Sequence, residues 1–363
     1  MEQIPVTILT GFLGSGKTTL LNRALRDPKL AGTAVVINEF GEVSLDHALV
    51  TQSDDTVMVL ENGCLCCTVF TDLIVTLNTL WYRREAGEIP HYQHVVVETS
   101  GLADPAPVAQ AFLSDPTLAS LYRVGRIIVT VDAVNGPGTL DRHSESVRQI
   151  ALADQILLTK LDLIDADARA GAEAALVERL RIINPAAKIS RIDDPAVDVV
   201  GLLGDPGLDP TASDAAAREW LNVAAYEDHE HHHHHDHDGH EHDHHHHDDA
   251  IASFAFIREE PTSRYALQLL LNSLEQNLGP NLLRVKGLVH VRERPDRPAI
   301  IQGAQHLLHN LYWLERWPDA DRRTRIVFIT QNIPKATIEE MIALLDRVAT
   351  RTATARERAQ TAG

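Results

Sequence analysis

The stretch Ile4-Pro5-Val6-Thr7-Ile8-Leu9-Thr10 runs directly into Gly11-Phe12-Leu13-Gly14-Ser15-Gly16-Lys17-Thr18-Thr19-Leu20. The first seven residues form an apolar, β-branched run of strand length, and a helical pattern, Lys17 to Arg26, follows the glycines. Strand, then G-x-x-x-x-G-K-[ST], then helix is the context in which a glycine-rich loop cradles phosphates. Gly11, Gly14 and Gly16, with Ser15 between them, let successive N–H groups curl round a β-phosphate, and the helix N-terminus adds positive potential. Lys17 would reach the β- and γ-phosphates, the Thr18 hydroxyl would ligate Mg²⁺, and Thr19 belongs to the same nucleotide-binding set. An ordinary glycine-rich turn is the competing reading, and the matched flanks disfavour it.

Working outward, short apolar runs alternate with helical patterns to about residue 190, which predicts βα units on a doubly wound, mostly parallel sheet: a P-loop NTPase fold of class α/β. Strands are expected at Ile4 to Thr10, Thr33 to Asn38, Thr56 to Leu60, His94 to Glu98, Arg126 to Val131 and Gln155 to Thr159. Gly201 to Glu227, rich in Gly, Pro, Asp and Ala, reads as a loosely structured exit. After Ala250 the pattern predicts a small α+β domain, with strands at Ile251 to Ile257, Leu282 to Val291 and Arg325 to Thr330 and helices at Ser263 to Gln276 and Pro334 to Val348. The expected domains are therefore 1–215, a flexible linker 216–250, 251–350, and a disordered tail 351–363.

At about 150 residues per domain, 363 residues suit two domains, and 44% apolar with 23% charged residues is ordinary for a globular chain. The formal charge of −18 argues against a nucleic-acid partner, which needs clustered Lys and Arg. No run is apolar for long enough to span a bilayer, and the start lacks a basic leader, so neither a membrane nor secretion is expected; the default address is cytoplasmic.

Two further elements complete a nucleotide site. Val95-Val96-Val97-Glu98-Thr99-Ser100-Gly101 ends a strand with an acid suited to Mg²⁺ or its water, and Gly101 offers an N–H where a γ-phosphate would lie. Thr159-Lys160-Leu161-Asp162 follows the last strand of this stretch. In an N-K-x-D element the aspartate accepts hydrogen bonds from guanine, which adenine cannot supply, and the lysine stem packs on the base. Here Thr159 replaces the usual Asn.

The three cysteines, Cys64, Cys66 and Cys67, occupy one four-residue window, which points to soft-metal binding rather than a disulfide framework. Three thiolates suit Zn²⁺, Cu(I) or, less strongly, Co²⁺, and leave a tetrahedral ion one open position. His229 to His247 holds thirteen of the twenty histidines, among them His231, His232, His233, His234, His235, His244, His245, His246 and His247. Interleaved carboxylates make it a borderline-metal ligand set, so metal capture or buffering is expected there.

In order, these motifs resemble the CobW-like metallochaperone GTPases, relatives of the HypB and UreG nickel-insertion GTPases. Asn38-Glu39-Phe40-Gly41-Glu42, Glu61-Asn62-Gly63-Cys64-Leu65-Cys66-Cys67, Glu98-Thr99-Ser100-Gly101-Leu102-Ala103-Asp104-Pro105, and in the second domain Leu283-Arg284-Val285-Lys286-Gly287 and Ile301-Gln302-Gly303 carry the resemblance. It implies a GTPase in which Glu39 and Glu42 lie in the first switch region, the three cysteines bind the transferred Zn²⁺ or Co²⁺, and Glu98 joins the Mg²⁺ shell. Lys17, Thr18, Glu98 and Gly101 would serve hydrolysis. The implied partners are GTP, a transition-metal ion and a client metalloprotein, with homo-oligomer formation left open. Rival readings are a His-rich storage or buffering protein, a P-loop kinase indifferent to guanine, and, within the family, a cobalt-delivery factor for cobalamin synthesis or nitrile hydratase activation.

Overall fold

The computed structural model describes residues 3–38, 59–61, 69–230, 251–304, 307–308 and 311–361, which fall into two units, one ending at Leu208 and the other beginning at Asp209. Glu39, Glu42, Cys64, Cys66, Cys67, His231 to His235 and His244 to His247 lie outside the described residues.

The first unit contains, in order, β1 (Ile4–Thr10), α1 (Lys17–Ala24), β2 (Thr33–Asn38), β3 (Val59–Glu61), α2 (Val69–Glu85), β4 (His94–Thr99), α3 (Pro105–Ser114), α4 (Pro116–Leu121), β5 (Tyr122–Asp132), α5 (Gly136–Arg142), α6 (Ser144–Leu152), β6 (Gln155–Thr159), α7 (Ala166–Ile183), β7 (Lys188–Arg191) and α8 (Val199–Gly204). The seven strands are all parallel, in the order β3-β2-β4-β1-β5-β6-β7. Neighbouring residues of opposite facing, such as Ile8 and Leu9 or Val96 and Val97, are both fully buried, so the sheet is covered on both faces; this is why its strands read as continuous apolar runs. On one face Leu9, Val35, Val96 and Ile128 pack with Leu20 and Leu21 of α1 and Leu203 of α8. Because β2 lies to one side of β1 and β5 to the other, the carboxyl edge at β1 is a topological switch point, where open α/β sheets bind ligands.

His94 shows what ties α8 to this sheet. Its Nδ1 lies 3.0 Å from the Gly204 carbonyl, which can only accept, so the ring proton sits there and Nε2 accepts from the Thr7 hydroxyl at 3.0 Å. Burial pushes the imidazole pKa below its ordinary 6.5. The unfolded chain takes a proton on this ring near pH 6.5 and the folded one resists it, so stability falls as pH drops through that value and is unaffected by this group above it. The thermal midpoint of the wild type should therefore decline more between about pH 7.5 and pH 5.5 than that of His94→Gln; parallel curves would remove His94 as the cause.

The second unit opens with α9 (Asp214–Leu221) and α10 (Ala224–Glu230), then β8 (Ile251–Arg258), α11 (Arg264–Ser273), β9 (Leu282–Val289), β10 (Ala299–Ala304), β11 (Leu307–Leu308), β12 (Tyr312–Trp313), β13 (Thr324–Gln331) and α12 (Lys335–Thr361). The strands form an antiparallel sheet ordered β11-β10-β9-β13-β8, with β12 paired to β10. Leu267, Leu271, Ile338 and Ile342 of α11 and α12 pack on Val285, Val289 and Phe328. Helices α9 and α10 pack against β9 and β8. The buried Lys286 ammonium of β9 lies 5.2 Å from the centre of the Trp220 ring.

Two expectations are corrected here. Residues 214–230 are helical rather than loose: Ser213 caps α9 by accepting from the Ala216 N–H, and Ala217, Trp220 and Leu221 fall on one helical face, all buried. The Gly and Pro content that suggested a loop belongs to the turns around residues 204–210. The chain passes from one compact unit to the other between Leu208 and Asp209. The tail beyond Thr350 continues α12 to Thr361, its Ala and Arg residues being good helix formers and its Thr350, Thr352 and Thr354 hydroxyls bonding carbonyls four residues back. β7 and β10 were not expected as strands. No helix among the described residues is long and apolar enough to cross a membrane.

Candidate functional site

The motifs meet at the carboxyl edge of the first unit's sheet. Register pairs Leu9 with Glu98, Thr10 with Val129 and Asp132 with Thr159, so β1 and β4 end level, and β5 and β6 end level with each other three residues further on. Between β1 and α1 the loop turns on Gly11, Gly14 and Gly16, at φ of +139°, +71° and +95°. At Gly11 a methyl group would stand 2.4 Å from the Thr130 carbonyl oxygen, so only glycine lets the loop lie this close to β5. The Ser15 and Thr130 hydroxyls are 2.6 Å apart and close the same contact.

Helix α1 starts with no side-chain cap and no acid in its first turn, which leaves its N–H groups disposed for an anion. Lys17 is folded over the loop, its Nζ donating to the Gly11 carbonyl at 2.8 Å and to that of Phe12 at 3.4 Å. The next residue, Thr18, donates its hydroxyl proton to Glu98 Oε1 at 2.7 Å. Glu98 is buried, so a hydroxyl and a carboxylate, both hard oxygen donors, share one position beside the loop; that donor set fits Mg²⁺. Thr19 is exposed on the first turn of α1.

Beyond Glu98 the chain turns at Ser100 to Ala103, and Gly101 lies against the loop so closely that a methyl there would be 2.7 Å from the Leu13 Cα. Thus the structure brings Gly11, Gly14, Ser15, Gly16, Lys17, Thr18, Glu98 and Gly101 into one neighbourhood.

Thr159 fits this arrangement although it departs from the usual Asn. Its hydroxyl donates to the Ser15 carbonyl at 2.8 Å and approaches the Val131 carbonyl at 3.3 Å, tethering the end of β6 to the phosphate loop. Lys160 takes a left-handed backbone, φ +61°, unusual for a side-chain-bearing residue, and its Nζ donates to Asp132 Oδ2 at 2.8 Å. Asp162 is exposed at the same edge.

Asp132 was not foreseen. Besides Lys160, its carboxylate accepts from the N–H groups of Val134 and Asn135 and from the Asn135 amide. Burial pushes its pKa up, but the bonds from Lys160, Asn135 and Val134 outweigh that and hold the carboxyl below its usual range. An acid closing the apolar run Ile127 to Val131, as Glu98 closes Val95 to Val97, was the signal available in the sequence. Among the described residues no cluster of three or more His, Cys, Asp or Glu side chains is disposed to hold a metal; the expected thiol, Glu39, Glu42 and histidine ligands lie outside them.

The family model described as CobW/HypB/UreG, nucleotide-binding domain, matches residues 5–191, and that of the cobalamin synthesis protein cobW C-terminal domain matches residues 251–345. The chain belongs to the CobW/HypB/UreG family. Among relatives of this CobW-family chain, the zinc chaperone YjiA of Escherichia coli K12 is 30% identical over 343 residues, covering 94% of this chain and 99% of its own. The zinc chaperone CobW of Pseudomonas aeruginosa is 31% identical, covering 94% and 91%. The crystal structure of Zn(II)-bound YjiA GTPase from E. coli matches with a TM-score of 0.66 at 26% identity, over 95% of this chain and 99% of that one. Fold and family thus agree with the sequence reading: a P-loop nucleotide-binding domain followed by a CobW C-terminal domain.

Proposed function

We propose that this CobW-family chain is a GTP hydrolase whose nucleotide state governs the capture and release of a transition-metal cargo, Zn²⁺ in preference to Co²⁺, for a client metalloprotein in the cytosol. The observation that carries the reading is the 2.7 Å contact from Thr18 to Glu98, which joins the first turn of α1, just after the phosphate loop, to the end of β4, just before the loop of Gly101. The names of the relatives, zinc chaperones and a GTPase, support the same assignment.

In this reading the first-turn N–H groups of α1 and the Lys17 ammonium hold the β- and γ-phosphates, and hydrolysis proceeds by attack of water on the γ-phosphorus with charge spreading to the phosphate oxygens. Thr18 Oγ1 and the Glu98 carboxylate would hold Mg²⁺, which when bound neutralises charge on the β- and γ-oxygens. Lys160, held by Asp132, lays its stem along the base, and Asp162 accepts from guanine. Cys64, Cys66 and Cys67 would take the cargo as thiolates, with Glu39 and Glu42 in the switch that senses the nucleotide. The histidine tract would collect the same ions at lower selectivity.

Competitive titration of Zn²⁺ and Co²⁺ against a chromophoric chelator, with Mg²⁺ and either GDP or a non-hydrolysable GTP analogue, tests this. Zn²⁺ should bind about tenfold tighter with the triphosphate, and Cys66→Ala should abolish that difference. Equal affinity in every nucleotide state overturns the coupling.

A further inference from the structure

Helix α6 grips the loop that follows β4. Gln149 is buried, 1% exposed, on a face it shares with Ser146 and Ile150, and its Nε2 donates to the carbonyls of Gly101 at 3.2 Å and Ala103 at 3.0 Å. One amide thus binds the carbonyls on both sides of Leu102 and sets the path of the loop between them. A residue earlier, Arg148 reaches the Asp104 carboxylate at 3.9 Å, and that carboxylate starts α3 by accepting from the Ala106 N–H at 2.9 Å. At the start of the same helix His143 packs on Phe12 of the phosphate loop, ring centres 4.5 Å apart. The helix therefore touches both loops that flank the expected γ-phosphate, at the place where Gly101 and Leu13 are already in tight contact.

The buried Gln149 Oε1 has no hydrogen-bond partner among the described residues, so the two Nε2 contacts alone fix how the amide is held. Here it is committed to two carbonyls of one functional loop. We propose that Gln149 is a positioning residue for hydrolysis, holding the Gly101 loop so that its N–H groups meet the γ-phosphate and not the diphosphate. The proposal rests on the GTPase reading above.

The test uses the full chain and the near-isosteric Gln149→Met, with Gln149→Glu and Arg148→Ala beside it. Fluorescent GDP, a fluorescent non-hydrolysable GTP analogue, steady-state hydrolysis and thermal midpoints are measured on each. For Gln149→Met, GDP affinity should stay within about twofold, while kcat and affinity for the triphosphate analogue fall about tenfold or more, as expected when a reacting group is slightly misplaced. Arg148→Ala should shift the same ratio in the same direction by a smaller factor. Gln149→Glu should recover hydrolysis, relative to wild type at equal pH, as pH falls from about 8 to 6, because its protonated carboxyl regains a donor. Equal losses for GDP and triphosphate, or an unchanged triphosphate preference in all three variants, overturn the proposal. A wild type that neither hydrolyses GTP nor distinguishes the two nucleotides removes the GTPase reading, and this inference with it.

Discussion

Gly101→Ala is expected to lower kcat/KM for GTP by about a hundredfold while leaving the fold intact, because displacement of reacting groups by about 1 Å has that effect. Gly101 has an ordinary backbone conformation, so the substitution carries no φ penalty. The obstacle is contact: the new methyl would lie 2.7 Å from the Leu13 Cα and N, and backbone cannot rotate away as a side chain can. One of the two loops must move, and both border the expected γ-phosphate. Overpacking of this kind costs about 1–3 kcal/mol, too little to unfold a unit with so extensive a core. Steady-state hydrolysis with a parallel thermal melt checks the result. A variant as active as wild type would mean that the contact between the loops has no part in catalysis.

Lys17→Ala should reduce hydrolysis by about 10²–10³-fold, the usual effect of removing one preorganised charge-stabilising donor. The structure adds a second consequence. Lys17 also donates to the Gly11 and Phe12 carbonyls, so the variant strips the loop of an internal brace as well as of a ligand group. The loss of a buried hydrogen-bond donor costs about 1–3 kcal/mol and should appear as a lower thermal midpoint of the nucleotide-free protein. Hydrolysis within about tenfold of wild type would exclude Lys17 from phosphate binding.

Much of this site was legible because phosphate binding constrains backbone as well as side chains. A strand, three glycines, a lysine and a threonine have to fall in one order, and the order survives into the contacts among Gly11, Lys17, Thr18 and Glu98. The supporting residues were harder to see. Asp132 and Gln149 act on groups 28 and 48 residues away in the chain, and no local spacing announces such partners. Thr159 read as a weakened match since the usual Asn is absent, yet its hydroxyl reaches the Ser15 carbonyl. The reach of that hydroxyl depends on how closely the end of β6 approaches the phosphate loop, which composition does not carry. In the second unit the apolar periodicity of α11 and α12 was clear, but α9 and α10 were hidden by the glycines and prolines just before them. The apolar stripe of Ala217, Trp220 and Leu221 is only one turn long, and its partner, β9, lies more than sixty residues further on.

The placement of α10 beside β8 has a consequence for how this protein can change over time. The two elements pack together and belong to the same unit, and the histidine-rich residues 231–250 begin where one ends and finish where the other starts. Glu230 and Ile251, which flank the tract, therefore belong to two elements that pack together. The entropy of closing such a loop grows only as the logarithm of its length, about 0.6 kcal/mol for each doubling. A connection between two elements packed in this way can change length almost without thermodynamic resistance from the fold, whereas a single inserted residue in the phosphate loop would shift every contact at the edge of the sheet. The length of chain between α10 and β8 and the phosphate loop are in this way free to evolve at different rates within one chain.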